Sequence, residues 1–132
     1  MNKIRAGLLA GAVVAGAITA MAPSAAMAAT TRSTDGVCPK GDVCVWSGKN
    51  ATGVRCNWTG NDPDWQGGAI QCKPHGFKVY SIWNNGYTSD PYNKVRFYKY
   101  ANYGTELYDP MPVTSQPVGA AGISIRSHKW SK

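Results

Sequence analysis

Polar and apolar residues alternate along 94–100, Lys-Val-Arg-Phe-Tyr-Lys-Tyr, which sets Val95 and Phe97 on one side and Arg96, Tyr98 and Tyr100 on the other. A period of two is the signal of a strand with one face in a core and one toward water. A second alternation opposes Phe77, Val79, Ser81 and Trp83 to Lys78, Tyr80 and Ile82. Both of its sides carry apolar groups, as expected of a strand inside a sandwich. From Val37 onward no window keeps apolar residues at helical spacing for three turns, and short β-rich runs recur between Gly, Pro, Asn and Asp clusters. The pattern predicts an all-β domain with strands at 43–47, 54–59, 76–83, 94–100, 105–108 and 122–126.

The start of the chain follows another rule. Lys3 and Arg5 precede an uncharged run over 6–22, and Ala26-Met27-Ala28 supplies the small-x-small pattern that signal peptidases cut. The run is short and rich in Gly and Ala, which disfavours a retained membrane anchor. The expected organisation is a signal peptide over 1–28, a loose polar tail over 29–36 and one domain over 37–132, secreted and without a membrane span. Cleavage before Ala29 leaves 104 residues. With Lys3 and Arg5 gone, 12 basic residues face 7 acidic ones, for a net charge of +5.

A domain this small is marginally stable unaided, and export would carry its four cysteines into an oxidising compartment. Four cysteines allow three pairings. Cys38 with Cys44 and Cys56 with Cys72 are favoured because each pair closes a loop rich in turn residues without a long crossover. Zinc ligation would need C-x-x-C-like spacing, which is absent.

Two halves of the chain echo each other. Val45-Trp46, four residues, Ala51 and then Gly53 matches Phe97-Tyr98, four residues, Tyr103 and then Gly104. The halves close similarly, with Tyr80-Ser81-Ile82-Trp83 against Ile123-Ser124-Ile125-Arg126. The economical interpretation is two copies of one four-stranded unit, neither with enough apolar surface to fold alone.

The run Cys-Pro-x-Gly-x-x-Cys-x-Trp from Cys38 to Trp46, the aromatic-x4-aromatic spacing and the Ser-Ile before Asn84 together resemble the secreted bacterial peptidase inhibitors of βγ-crystallin-like fold, the metalloproteinase-inhibitor type among them. The resemblance spans about Cys38 to Trp130. It implies a sandwich of two Greek-key motifs, disulfide-stabilised, secreted, without a cofactor, acting on an extracellular peptidase. The chain departs from the pattern in three places. Ala51 replaces an aromatic. Gly104 follows Tyr103 directly, where the family has one residue between, so a distorted hairpin is expected there. The calcium signature of crystallins is missing at both expected positions, although Asn84-Asn85-Gly86-Tyr87-Thr88-Ser89 spells it in what reads as the loop between the motifs.

Candidate chemistry points away from catalysis. His75 and His128 lie in no nucleophile motif and are expected at the surface, Glu106 is the only Glu, and Asp62-Pro63-Asp64 reads as a turn rather than a carboxylate pair. No catalytic or metal-binding residue is assigned. An inhibitor needs a loop that fills a protease cleft while held stiff, and the stretch between Cys56 and Cys72 fits that need. It presents Asp62, Pro63, Asp64 and Trp65, with Trp65 as the apolar anchor or Ile70 if the target accepts an aliphatic group. The alternative for Trp65 is that it covers the core edge. The second half has no cysteine, so no reactive bond carries over from the family's best-known inhibitor.

A different function class remains open. Five Trp and the tyrosines Tyr87, Tyr92, Tyr100, Tyr103 and Tyr108 exceed what a small core needs, and flat exposed rings stack on sugars. Adhesion to a cell-wall polymer, or an antimicrobial action through such contact, is the runner-up. The basic residues are scattered, which argues against nucleic acid as a partner.

Overall fold

A computed structural model describes residues 36–132; the expected signal peptide and nearly all of the tail lie outside them. Seven strands form: β1 (Val43–Trp46), β2 (Arg55–Trp58), β3 (Val79–Asn84), β4 (Lys94–Tyr100), β5 (Gly104–Glu106), β6 (Val118–Ile123) and β7 (Ser127–Ser131). They make two antiparallel sheets, ordered β2-β1-β3-β6 and β5-β4-β7, and no helix occurs among the described residues. Disulfides join Cys38 to Cys44 and Cys56 to Cys72, the favoured pairing.

The alternation of 94–100 holds for Val95 and Phe97, which are buried and pack with Val43, Val45, Trp58, Val79 and Ile82 between the sheets, but Tyr98 on the other face is buried as well. In β1 all four residues are buried. Val43 and Val45 face the inter-sheet core, while Cys44 and Trp46 face a second cluster with Cys38, Ala51 and Trp83. The Cys38–Cys44 bridge and the folded hairpin after β1 thus roof its outer side. In β3 the register shifts between Val79 and Ser81. Val79 and Ile82, which simple alternation puts on opposite faces, therefore share one core.

The halves exchange strands. β6 belongs to the second half yet pairs with β3 of the first, and Asp62 of the first half makes an isolated antiparallel bridge with His128 in β7. Each sheet is thus completed by the other half, which makes the two interdependent.

The repeat is real, but its register differs from the one expected. Asn50, Ala51 and Gly53 have φ of 54°, 56° and 82°, and Asn102, Tyr103 and Thr105 have 57°, 61° and 55°. Thr105, not Gly104, therefore stands where Gly53 does, and the second hairpin keeps the first one's shape despite holding a β-branched residue in left-handed backbone. Ser81 Oγ–H donates to Gly48 O (2.8 Å) and accepts from the Ala51 N–H (3.0 Å). Ser127 repeats both bonds, donating to Tyr100 O (2.6 Å) and accepting from the Tyr103 N–H (3.1 Å). The partner of Ser81 is thus Ser127 rather than Ser124, and the closing strand of the second half is β7, not 122–126.

These serines close both polar ends of a folded hairpin from a buried position. Ser81→Ala and Ser127→Ala would each orphan a backbone N–H and carbonyl, at about 1–3 kcal/mol apiece. Urea unfolding should show nearly additive losses in the double variant, because the two sites share no partner.

Candidate functional site

The symmetry of the halves exposes what the fold does not require. In the second half only Ser124, Ile125 and Arg126 join the exchanged strand to the closing strand; in the first, residues 63–78 make that connection. A long excursion on one copy of a repeated unit is where function is expected to reside.

Its stem is rigid. The Asp62 and His128 backbones exchange N–H···O bonds of 3.0 Å in both directions. The Asp62 carboxylate accepts from the Asp64 N–H (2.9 Å), and the Asp64 carboxylate accepts from the Gln66 N–H (3.0 Å). Pro63 between two such Asx turns is the turn expected there, and both carboxylates are committed to holding it. Arg126 fastens Asp64 with two bonds, 2.6 and 3.2 Å, whose first effect is to pull the Asp64 carboxyl below its ordinary range. The Trp65 N–H donates to Arg126 O (2.8 Å), the Asn102 N–H to Pro63 O (2.7 Å) and the Trp130 N–H to Asn61 Oδ1 (2.7 Å).

Trp65 does not serve as a projecting anchor: it is 3% exposed and stacks on Trp58 at 4.5 Å between ring centroids. Its indole N–H donates to His128 Nδ1 (2.8 Å), while His128 Nε2–H donates to Gly60 O (2.8 Å). His128 is fully buried against Trp58, Trp65 and Phe97, contrary to its expected surface position. An imidazole that accepts at one nitrogen and donates at the other is neutral. Desolvation pushes its pKa down to about 4 from 6.5, against a smaller opposing effect of the Gly60 bond.

Past the stem, the chain turns outward. Cys72 is buried, bridged to Cys56, and its N–H donates to Trp65 O (2.7 Å). Residues 68–71 and 73–76 are exposed, with Ile70 at 58% the most exposed large apolar residue of the domain. Behind Ile70 lies an open cleft of about 260 Å³, walled by Trp58, Asn61, Asp64 and Gly67. The structure thus divides the predicted loop residues: Asp62, Asp64 and Trp65 are drawn into the support, whereas Pro63 and Ile70 are exposed.

Sequence reasoning missed two residues of the support: Arg126 and His128. His128 and Arg126 lie more than 50 residues from the loop, and only the strand exchange brings them to it. The calcium-like run is engaged elsewhere. Asn84 is buried, its amide donating to Asn93 O and Met111 O and accepting from Gly86 N–H, and Asn85 donates to Cys38 O.

Because His128 is neutral in the folded protein, the unfolded chain takes up its proton first as pH falls. Stability is then complete above pH 6.5 and lost down to about pH 4, by about 3 kcal/mol, after which the folded protein protonates as well. NMR titration of the His128 ring alongside urea unfolding at several pH values would show both effects.

No curated protein and no solved structure matches the chain. A family model does: peptidase inhibitor family I36 matches residues 31–108. That span holds both disulfides, β1 to β5 and the whole excursion. The chain therefore belongs to peptidase inhibitor family I36.

Proposed function

We propose that the mature protein is secreted and inhibits an extracellular metalloproteinase by inserting the rim of the 63–78 excursion, with Ile70 as its anchor, into the enzyme's cleft. The observation that carries this reading is the pairing of a rigid stem with an exposed aliphatic tip. The family supplies the activity class, and the Cys56–Cys72 bridge is what an oxidising, extracellular setting would sustain. Acidic and imidazole groups of the stem are consumed in holding it, so the protein acts without catalysis of its own.

The mechanism follows from stiffness. A flexible peptide loses conformational freedom when it enters a protease and leaves in two pieces once cut. Here one side of the tip is tied to β2 through Cys72 and the other to Arg126 through Asp64 and to β7 through Asp62 and Trp65. The ordering cost is met during folding, and the ends of a severed bond would stay in place, poised to rejoin. Ile70 then contributes by desolvation, about 1.5–3 kcal/mol for a fully buried aliphatic side chain.

Purified mature protein should titrate a thermolysin-type metalloproteinase stoichiometrically. Ile70→Ala should weaken inhibition by roughly tenfold to a hundredfold, and Ile70→Asp by more, with thermal unfolding unchanged in both. Trp65→Ala, in contrast, should lose inhibition together with folding. If both Ile70 variants inhibit like the parent, the tip is not the contact; inhibition of a serine protease alone would reassign the target class.

A further inference from the structure

The aromatic excess resolves unevenly. Trp46, Trp58 and Trp65 are buried and belong to the core, whereas Tyr87 and Tyr92 are 53% and 52% exposed. Both lie on the loop between β3 and β4, and that loop is stiff. Gly41 N–H donates to Asn85 O (2.8 Å), Asn85 N–H to Asp42 O (2.9 Å), Gly86 N–H to Asn84 Oδ1 (3.0 Å), and Tyr92 N–H to Asp90 Oδ1 (2.8 Å). Tyr87 lies so close over Gly41 that a Cβ there would sit 2.9 Å from the ring, so glycine is what lets the ring settle on the backbone.

Tyr87, Tyr92 and Trp130 wall an open cleft of about 230 Å³, with Asp90 and Thr59 also on its lining. Lys40 and Lys132 place their amines over the Tyr87 and Tyr92 rings, 5.4 and 5.2 Å from the ring centres, so that each ring carries a cation on one face. The Lys40 amine also donates to Gly86 O (2.8 Å), which fixes it over the ring. No residue of this cleft is shared with the one behind Ile70.

Half-exposed aromatic rings, each with an amine over one face and with a carboxylate and a hydroxyl on the same cleft, match one chemistry well. A pyranose presents C–H groups to a ring face and hydroxyls around its edge, and each hydroxyl both donates and accepts. Asp90 supplies carboxylate acceptors, Lys40 and Lys132 supply donors, and Thr59 supplies a hydroxyl of either sense. The carboxylate in the cleft disfavours polyanions, and the small volume suits one sugar unit rather than a larger ligand. We infer that the Tyr87–Tyr92–Trp130 cleft binds a pyranose unit of an uncharged polysaccharide, a second activity separate from peptidase inhibition.

Cellohexaose and chitohexaose, titrated into the mature protein and followed by Trp fluorescence and calorimetry, test it. At least one should bind saturably, with affinity unchanged between low and high NaCl. Tyr92→Ala and Tyr87→Ala should each weaken binding about tenfold and leave peptidase inhibition intact, while Ile70→Asp should leave glycan binding intact. Tyr92→Ala decides the matter if Tyr87→Ala disturbs the loop. Absence of binding to both oligosaccharides at millimolar concentration overturns the proposal, as does binding indifferent to Tyr92→Ala or abolished by salt.

Discussion

Neutral His128, enclosed by three aromatic rings and bonded at both nitrogens, is the interaction on which the domain's distinctive features depend. It sits on the closing strand of the second half, yet both its hydrogen-bond partners, the Trp65 indole and the Gly60 carbonyl, come from the first. Burying an imidazole without partners would be costly, and burying it charged more so. Two partners of opposite sense make the position tolerable only in one tautomer and with the loop in one place. The same contact therefore joins the halves, completes the core and orients the stem of the excursion.

The exchange of strands explains why a domain of this size can support a long excursion. A sandwich of two self-contained halves could open along its seam. Here β6 completes the first sheet and Asp62 extends the second, so separating the halves would expose sheet edges on both. The paired serines, Ser81 and Ser127, tie each folded hairpin to its closing strand and give the halves equal footing. Against that symmetric frame the large asymmetry between exchanged and closing strands among the described residues is 63–78, the segment that carries Ile70.

Much of the fold was legible from periodicity: β1 to β4, the two disulfides and the doubling of one unit all follow from alternation, turn residues and cysteine spacing. The losses have physical causes. β6 is Val-Gly-Ala-Ala-Gly-Ile, too small-sided to read as a strand, and it forms because β3 offers it an edge. β7 reads as a polar tail because Ser127 and His128 are polar, although both are buried with their hydrogen bonds satisfied. Ile-Ser-Ile at 123–125 imitates Tyr-Ser-Ile at 80–82 closely enough to misplace the repeat by three residues. For the site, the loop was visible as a turn-rich stretch between cysteines, but whether Trp65 faced in or out depended on a histidine 63 residues away.

Hydrogen–deuterium exchange of the mature protein, free and with a saturating thermolysin-type metalloproteinase, tests the central claim most directly. A rigid stem presenting one tip predicts slow exchange of the Trp65 and Cys72 amides already in the free protein, and new protection on complex formation concentrated at residues 68–71. A stem that exchanges as fast as an open loop, or a complex that leaves 68–71 unprotected while shielding another face, would contradict it.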